Sequence, residues 1–403
     1  MRTNTTPRTT NRKAIFALLA VQALCVAVAI AAVTQNRAAH VALGVLPSGL
    51  EQPLRMLPRY DYPRVVSDDQ LRRVLYILRP KLRGERPSIN HVDHALRMWG
   101  VEATFADPDC LSGVEMRALL TDHRTFARDW GADEKPLLVV DERGIAVRTQ
   151  EGQATASHID HTLAGLAEIG TPISFPVHTT EGIFTVGELL ESTLRSFRLN
   201  QTEYEWSTLA FALYLPHTKG WQSSESQQIT FDRLARRLMR ERLPRGVCFG
   251  NHRMFTLVVL LNVDDEHNIL GSPARGEVEK FLLDATAQLV KNQHQSGYWN
   301  GDWATGPTDK SDDRKRDSLA NRVLATGHAL EWWAIAPKRF HPPRESLVRA
   351  GQWLCQTIEE MDETTVRKSY TFLTHAGRAL ALWRGKMPAE VVNAETAAVA
   401  AAQ

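Results

Sequence analysis

The chain has 403 residues, 43% of them hydrophobic and 23% charged, a composition that excludes a disordered or fibrous protein. Its 48 basic and 46 acidic side chains give a formal charge of +2, and a nearly neutral chain binds polyanions poorly, so we expect no nucleic-acid partner. The four cysteines lie far apart without a CxxC pair, which excludes a zinc ribbon and a dense disulfide framework.

The first predicted element is a transmembrane helix. Residues 1–13 carry four basic side chains and no acid, and in residues 14–33 Gln22 is the only strongly polar side chain. Twenty helical residues span about 30 Å of hydrocarbon, so we predict a cytoplasmic basic tail (1–13) and a single anchor in the lipid bilayer (14–33). Basic flanks stay in the cytoplasm, which places the body outside it. The alternative is a signal peptide, cleaved near Ala29 and Ala31.

Prolines and a capping pattern mark where the folded domain begins. Four prolines fall within residues 47–63, so residues 34–66 are predicted to form a Pro-rich tether or a strap on the body. Ser67 followed three residues later by Gln70 is typical of a capped helix start. We therefore predict one folded domain over residues 67–390. The Ala-rich residues 391–403 have no packing pattern and are predicted to be a flexible tail.

A repeat marks the starts of several predicted helices. HVDHAL, which begins at His91, agrees at four of six positions with HIDHTL, which begins at His158. Related starts follow at Tyr204, His252, His328 and His375. Three of the five intervals are close to 47 residues, and the two longer ones contain insertions. The first insertion includes PLLVVDERGIAVRT, whose alternating apolar runs predict a small β-hairpin.

The helical patterns predict an all-α protein. Segments that follow the marked starts, such as MFTLVVLLNV, are apolar on every side, whereas intervening segments such as TVGELLESTLRSF are amphipathic. We therefore predict an (α/α)6-like toroid of helical hairpins, with parallel inner helices, the β-hairpin insertion and the preceding transmembrane helix. An open α-solenoid is the alternative, and residues 67–150 either join the ring or lie outside it.

Parallel inner helices would bring the marked residues to one rim. The candidate catalytic residues are His252, His328, Glu331 and His375, because imidazoles and carboxylates exchange protons readily, with Glu331 as an acid or an orienting group. The candidate substrate-binding residues are Trp332, Trp333, His91, His158 and Glu205. Partial positive charge at helix N-termini would keep the histidines neutral.

Metal binding is a weaker interpretation of the histidine pairs. His91 with His94, and His158 with His161, are three residues apart and could chelate a metal from one helix face. The HExxH pattern is absent from the sequence. We therefore assign no metal ligand and no cofactor, and keep a metal-dependent activity as an alternative.

Two short motifs resemble known families. QHQSGYW at residues 293–299 fits the QxxxGxW pattern and resembles squalene-hopene cyclases and the wider terpenoid cyclase and prenyltransferase superfamily, whose members are helical toroids. The resemblance implies that this motif ties the end of an outer helix to the next loop. The catalytic DxDD motif of the cyclases is absent, so the resemblance implies the fold and not the activity.

GHALEWW at residues 327–333 resembles the GHxxEW segment of N-acylglucosamine epimerase-like toroids, and THAGRAL, with His375, resembles their second catalytic-histidine region. This resemblance implies that His328 and His375 transfer protons at a sugar, although the two lie closer in sequence than in that family. We expect a membrane-anchored, extracytoplasmic carbohydrate-active enzyme, a hydrolase, lyase or epimerase. The alternative is a non-catalytic binding or assembly scaffold in which the histidines are structural. An open pocket at the histidines would favour the enzyme, and buried, mutually bonded side chains would favour the scaffold.

Overall fold

The computed structural model describes residues 12–41, 46–84, 86–243, 245–305 and 317–401, and most of these residues are helical, which confirms the all-α class. The helices are α1 (Arg12–Val41), α2 (Asp68–Ile77), α3 (Ile89–Trp99), α4 (Gly113–Thr121), α5 (His123–Trp130), α6 (His161–Glu168), α7 (Val186–Ser196), α8 (Glu205–Tyr214), α9 (Phe231–Arg240), α10 (Asn251–His267), α11 (Ser272–Asn292), α12 (Leu319–Ile335), α13 (Arg344–Glu359), α14 (Glu363–Lys368), α15 (Tyr370–Trp383) and α16 (Pro388–Ala401). Short 3₁₀ turns occupy Val247–Gly250 and Lys338–Phe340.

Three antiparallel two-stranded hairpins interrupt the helices. They pair β1 (Leu138–Asp141) with β2 (Gly144–Val147), β3 (Pro176–His178) with β4 (Ile183–Thr185), and β5 (Trp221–Gln222) with β6 (Gln228–Ile229). The first is the hairpin predicted from the alternating apolar pattern, with Leu138 opposite Val147. The other two strand pairs are only two or three residues long, too short for periodicity to reveal them.

The N-terminal helix differs from its predicted length. α1 includes the predicted span, residues 14–33, and continues for eight residues into the predicted tether. Among the residues that the structure describes, no helix combines the length and the apolar character needed to cross a membrane. Most of the predicted basic tail, residues 1–11, lies outside the described residues.

Six buried helices contact one another in sequence order. α3 packs on α6, α6 on α8, α8 on α10, α10 on α12 and α12 on α15, and α15 also packs on α3. These helices contain or directly follow the six marked starts. Because α3 is one of them, part of residues 67–150 belongs to this set of buried helices. Amphipathic helices lie against this set, with α4 on α3, α9 on α10 and α13 on α12.

Local capping fixes several of the surrounding helices. The Ser67 side chain accepts a hydrogen bond from the Gln70 backbone while the Gln70 side chain accepts one from Ser67 N, so a capping box begins α2. The same reciprocal arrangement begins α4 and α7. After α11, Gln293 Nε2 donates to the carbonyls of Gly297 and Ser346. These two bonds tie the helix end to the following loop and to α13.

Residues 50–62 form a strap across the carboxyl ends of the buried helices. Leu50 N donates to Tyr214 O at the end of α8, and Tyr62 N donates to Trp383 O at the end of α15. Tyr60 Oη donates to Ala336 O just after α12. Because three helices present the same end to one segment, they run in the same direction.

Two predictions about helix ends are corrected. His252 is the second residue of α10, but His328 lies nine residues inside α12 and His375 five residues inside α15, so the N-terminal dipole does not act on the latter two. The C-terminal residues are not a loose tail from 391 onward. α16 continues as far as Ala401, buries Val391 and Val392, and accepts a hydrogen bond from Thr104 N at Asn393 Oδ1.

Candidate functional site: a buried imidazole centre

The three histidines predicted to be catalytic lie together. His252 Nε2 is 3.1 Å from His328 Nε2. The ring centre of His375 is 3.8 Å from that of His328 and 5.4 Å from that of His252. α10, α12 and α15 each contribute one of these rings, although the residues are up to 123 positions apart in the chain.

The predicted carboxylate joins the same cluster. Glu331 Oε2 lies 3.0 Å from His375 Nδ1 and 3.3 Å from His328 Nδ1. Since His328 and Glu331 are three residues apart on α12, helical spacing alone places them on one face. We call His252, His328, Glu331 and His375 the imidazole centre.

Further histidines extend from this centre. The His158 ring lies 6.1 Å from that of His252, and its Nδ1 is 3.2 Å from Glu203. His94 stacks on His161 at 4.4 Å and meets His375 edge to face at 5.6 Å. The structure therefore brings the predicted binding residue His158 close to the centre.

The other predicted binding residues have different surroundings. His91 is half-buried and faces the Tyr370 ring at 5.7 Å. Glu205 is buried at the start of α8 and accepts a hydrogen bond from Tyr204 N. Trp332 and Trp333 have no exposed surface, and Trp333 Nε1 donates to Thr286 in the core. A sugar could contact these two rings only if their neighbours moved.

A ring of four buried ion pairs supports the imidazole centre and was not predicted from sequence. Arg97 binds both carboxyl oxygens of Glu168 and lies 2.9 Å from Glu331 Oε1. Arg378 donates to Glu331 Oε1 at 2.6 Å and to Glu168 Oε1 at 2.8 Å. We call Arg97, Glu168, Arg378 and Glu331 the ion-pair ring. The signal that could have found it is a charged residue within otherwise apolar helix segments, as in GLAEIG and HAGRALALW.

Burial and the ion-pair ring set the charges of the centre. Burial lowers the pKa of His252, His328 and His375, so these imidazoles are neutral at physiological pH. Burial alone would raise the pKa of Glu331, but Arg97 and the neighbouring imidazoles hold it well below its usual range. Glu331 is thus an ionised acceptor that orients the rings of His328 and His375. An ionised carboxylate has no proton to donate, so this charge state fits the predicted orienting role and not the predicted role as an acid.

The centre has little exposed surface, and it is incompletely bonded. Each of its four side chains is at most 3% exposed. His252 Nδ1 and His375 Nε2 have no hydrogen-bond partner among the described residues. Buried polar atoms are nearly always bonded in stable proteins, so each of these ring nitrogens calls for a partner such as a water molecule or a ligand.

The 3₁₀ turn Val247–Gly250 precedes α10 next to the centre. Cys248 and Phe249 both adopt the left-handed conformation, with φ of 49° and 58°. Such conformations cost free energy for side chains other than glycine and persist where the surroundings enforce them. Trp303 Nε1 donates to Phe249 O at 3.1 Å and so holds the turn in place.

An open cavity of about 540 Å³ lies at the amino ends of α3 and α15. Its lining includes Arg79, Arg83, His91, Arg367 and Tyr370. His91 is three residues before His94 on α3, a rise of about 4.5 Å along the helix. The His91 cavity is thus separated by one helical turn from the imidazoles that contact His375.

Comparisons with protein-family models, with curated proteins and with solved structures found no match for this chain. The resemblances noted at residues 293–299 and 327–333 therefore stay predictions.

Proposed function

We propose that the chain is an enzyme whose imidazole centre transfers protons to and from a polar substrate, and that the substrate is a carbohydrate. The observation that carries this proposal is the convergence of three neutral imidazoles, two of which contact the Glu331 carboxylate, with His375 Nε2 left without a partner among the described residues. Acid and base catalysis needs groups of this kind within reach of one reacting atom.

His375 is the proposed proton acceptor. Its Nδ1 lies 3.0 Å from Glu331 Oε2, so the ring proton is held on Nδ1 and Nε2 carries a lone pair. Arg97 Nη1 is also 3.2 Å from His375 Nδ1, but this arginine nitrogen lies 2.9 Å from Glu331 Oε1 and donates its proton to that oxygen. When Nε2 accepts a proton from a substrate C–H group, the charge gained by the ring faces an ionised carboxylate. The electron pair left on the carbon is then protonated on the opposite face by a second acid, as in an epimerase, or expels a neighbouring leaving group that takes up the proton, as in a lyase.

The His91 cavity is the proposed route for the substrate. Arg79, Lys81, Arg83 and Arg367 line it together with Asp109 and Glu363, so it is polar with an excess of positive charge. A sugar, particularly one that carries a carboxylate, suits such a lining better than an apolar isoprenoid does.

We propose that the six contacting helices form an (α/α)6-like toroid. Two observations support the closed ring over an open solenoid: the last helix, α15, packs on the first, α3, and the strap meets the carboxyl ends of three of the helices. We also propose a membrane location for the chain, with the body outside the cytoplasm. The exposed apolar side chains of α1, including Phe16, Leu24 and Ile30, support it, and retention of the chain in alkali-washed membranes tests it.

The test of the enzymatic proposal is proton exchange at carbon. Purified chain is incubated in D₂O with a panel of neutral and acidic sugars, and deuterium incorporation is followed by NMR while binding is followed by thermal shift. We expect at least one sugar to bind and exchange, and His375→Asn to slow exchange by about 100-fold or more, the usual contribution of a general base. His341→Asn, which changes a half-buried histidine at the far end of α12, is the matched control and should exchange normally.

A non-catalytic scaffold is the second candidate, and a specific observation favours it. The centre is buried, and one of its members belongs to the ion-pair ring that joins α3, α6, α12 and α15. Absence of binding and exchange across the panel would move the conclusion to this scaffold. Equal exchange by wild type and His375→Asn would contradict the role of His375 as the proton acceptor.

A further inference from the structure

We propose that Cys248, His252 and His328 bind a zinc ion at the edge of the imidazole centre. The Cys248 thiol sulfur and one ring nitrogen from each histidine all lie within 4.8 Å of one another. The cysteine and His252 are four residues apart, in the 3₁₀ turn and the first turn of α10, and His328 reaches the same point from α12. The inference deepens the proposed function and rests on it for the role of the metal, but not for its presence.

The spacing of the two ring nitrogens fits a shared metal. Ligands at 2.0 to 2.1 Å from a tetrahedral zinc ion are about 3.3 Å apart. His252 Nε2 and His328 Nε2 are 3.1 Å apart. The rival explanation is a hydrogen bond between two neutral imidazoles, which requires a proton on one of these nitrogens.

The contact with Glu331 prepares His328 to bind a metal. Its Oε2 lies 3.3 Å from His328 Nδ1, which places the ring proton on Nδ1 and directs the Nε2 lone pair toward His252. A carboxylate behind a histidine ring is the usual outer partner of a metal-binding imidazole, since it fixes both tautomer and orientation. The ion-pair ring in turn fixes Glu331 through Arg97 and Arg378.

The donor set selects the metal. One thiolate and two imidazoles suit zinc, whereas magnesium and calcium prefer oxygen ligands. Three protein ligands leave a fourth position for water or substrate, the pattern of catalytic rather than structural zinc. His375 lies beside that position, with its ring centre 3.8 Å from that of His328 and its Nε2 unpartnered.

The zinc site would also explain the strained backbone of the 3₁₀ turn Val247–Gly250. Two consecutive left-handed residues, Cys248 and Phe249, position the cysteine at the start of α10 rather than within it. Cys248 is also only partly buried, so an ion could reach the centre from the surface at this turn. Strained residues of this kind are typical of ligand clamps.

Metal analysis and cobalt substitution test the inference. The whole chain is purified, stripped with chelator, and titrated with Zn²⁺ and with Co²⁺, whose absorption reports a sulfur ligand. We expect about one ion per chain. In Cys248→Ser and His252→Gln we expect a loss of affinity of more than about 100-fold, the upper end of what changes to the residues behind the ligands cause, with the sulfur-to-cobalt band absent from Cys248→Ser. Cys110→Ser changes a buried cysteine that is not one of the three proposed ligands and should bind normally.

The outcomes separate the two proposals. Wild-type chain that is folded by circular dichroism yet binds neither ion overturns the zinc site, whether or not it exchanges protons with sugars. A cobalt spectrum without a sulfur band, or one unchanged in Cys248→Ser, also overturns it. Zinc binding with no exchange on any sugar supports the zinc site and counts against the proposed reaction.

Discussion

At the scale of single residues, the least expected feature is that the ion-pair ring places two cations and two anions in the interior. Arg97 and Arg378 balance Glu168 and Glu331, so the ring carries no net charge while the imidazoles are neutral. Removing both charges of a buried pair is often tolerated, but removing one leaves its partner uncompensated. The ring is therefore sensitive to single changes.

We expect Arg378→Met to destabilise the fold by about 3 to 5 kcal/mol, because methionine preserves much of the volume but leaves Glu168 and Glu331 to share Arg97 alone. Urea unfolding measures the change. Arg236→Met is the matched control, since Arg236 forms an exposed pair with Glu277, and its unfolding midpoint should hardly move. Equal effects of the two substitutions would contradict a stabilising role of the ring.

The sequence predicted the members of the imidazole centre, but it did not predict the ion-pair ring that holds them. His252, His328 and His375 were found because each begins the same local pattern, at an interval of one helical hairpin or of one hairpin with an insertion, and Glu331 because it is three residues after His328. Arg97, Glu168 and Arg378 belong to no motif. Their pairing depends on which helices become neighbours across the ring, and a single sequence does not contain that information.

At the scale of elements, close packing of α12 on α15 brings His328 beside His375. Gly327 permits it: a Cβ atom at this position would lie 2.9 Å from Ala376 N and 3.0 Å from its Cα. Since backbone atoms cannot move aside as a flexible side chain does, any larger residue must separate the two helices.

We expect Gly327→Ala to cost about 1 to 3 kcal/mol of stability, the usual effect of overpacking, even though alanine is the better helix former. Gly276→Ala on α11 is the control of opposite sign, because nothing lies within 4 Å of its added Cβ and the substitution should raise stability by up to about 1 kcal/mol. Thermal unfolding of both variants checks the pair. A stabilising Gly327→Ala would show that the helices are not in close contact there.

Helix identity was easier to predict than helix ends. Apolar segments and amphipathic segments were separated correctly because burial on all sides and burial on one side leave different periodicities. The ends of α12 and α15 were misplaced because the marked histidines were taken as starts, whereas Ser318 caps α12 well before His328. The tail was misjudged because valines among alanines carry no periodic signal, although Val391 and Val392 are buried.

At the scale of the whole molecule, the two ends of the buried helices differ in what lies against them. The strap covers the carboxyl ends, where it bonds to α8, α12 and α15. The His91 cavity opens at the amino ends of α3 and α15. Under the proposed function, a ligand approaches from the end opposite the strap, and we expect the strap to contribute to stability.

The strap also links helices that are distant in the chain, and we expect its removal to be costly. A chain that begins at Leu46 lacks α1, whose described side chains at residues 16–31 are exposed, and should unfold at nearly the same temperature as the whole chain. A chain that begins at Arg64 also lacks Tyr62, which stacks on Trp383 at 5.4 Å and donates its backbone N–H to that residue's carbonyl. Its free energy of unfolding should fall by about 3 kcal/mol or more, because it exposes apolar surface beneath the strap and leaves helix-end carbonyls without partners. Calorimetry of the two shortened chains checks this, and if they unfold at equal temperatures, the strap does not hold the helix ends together.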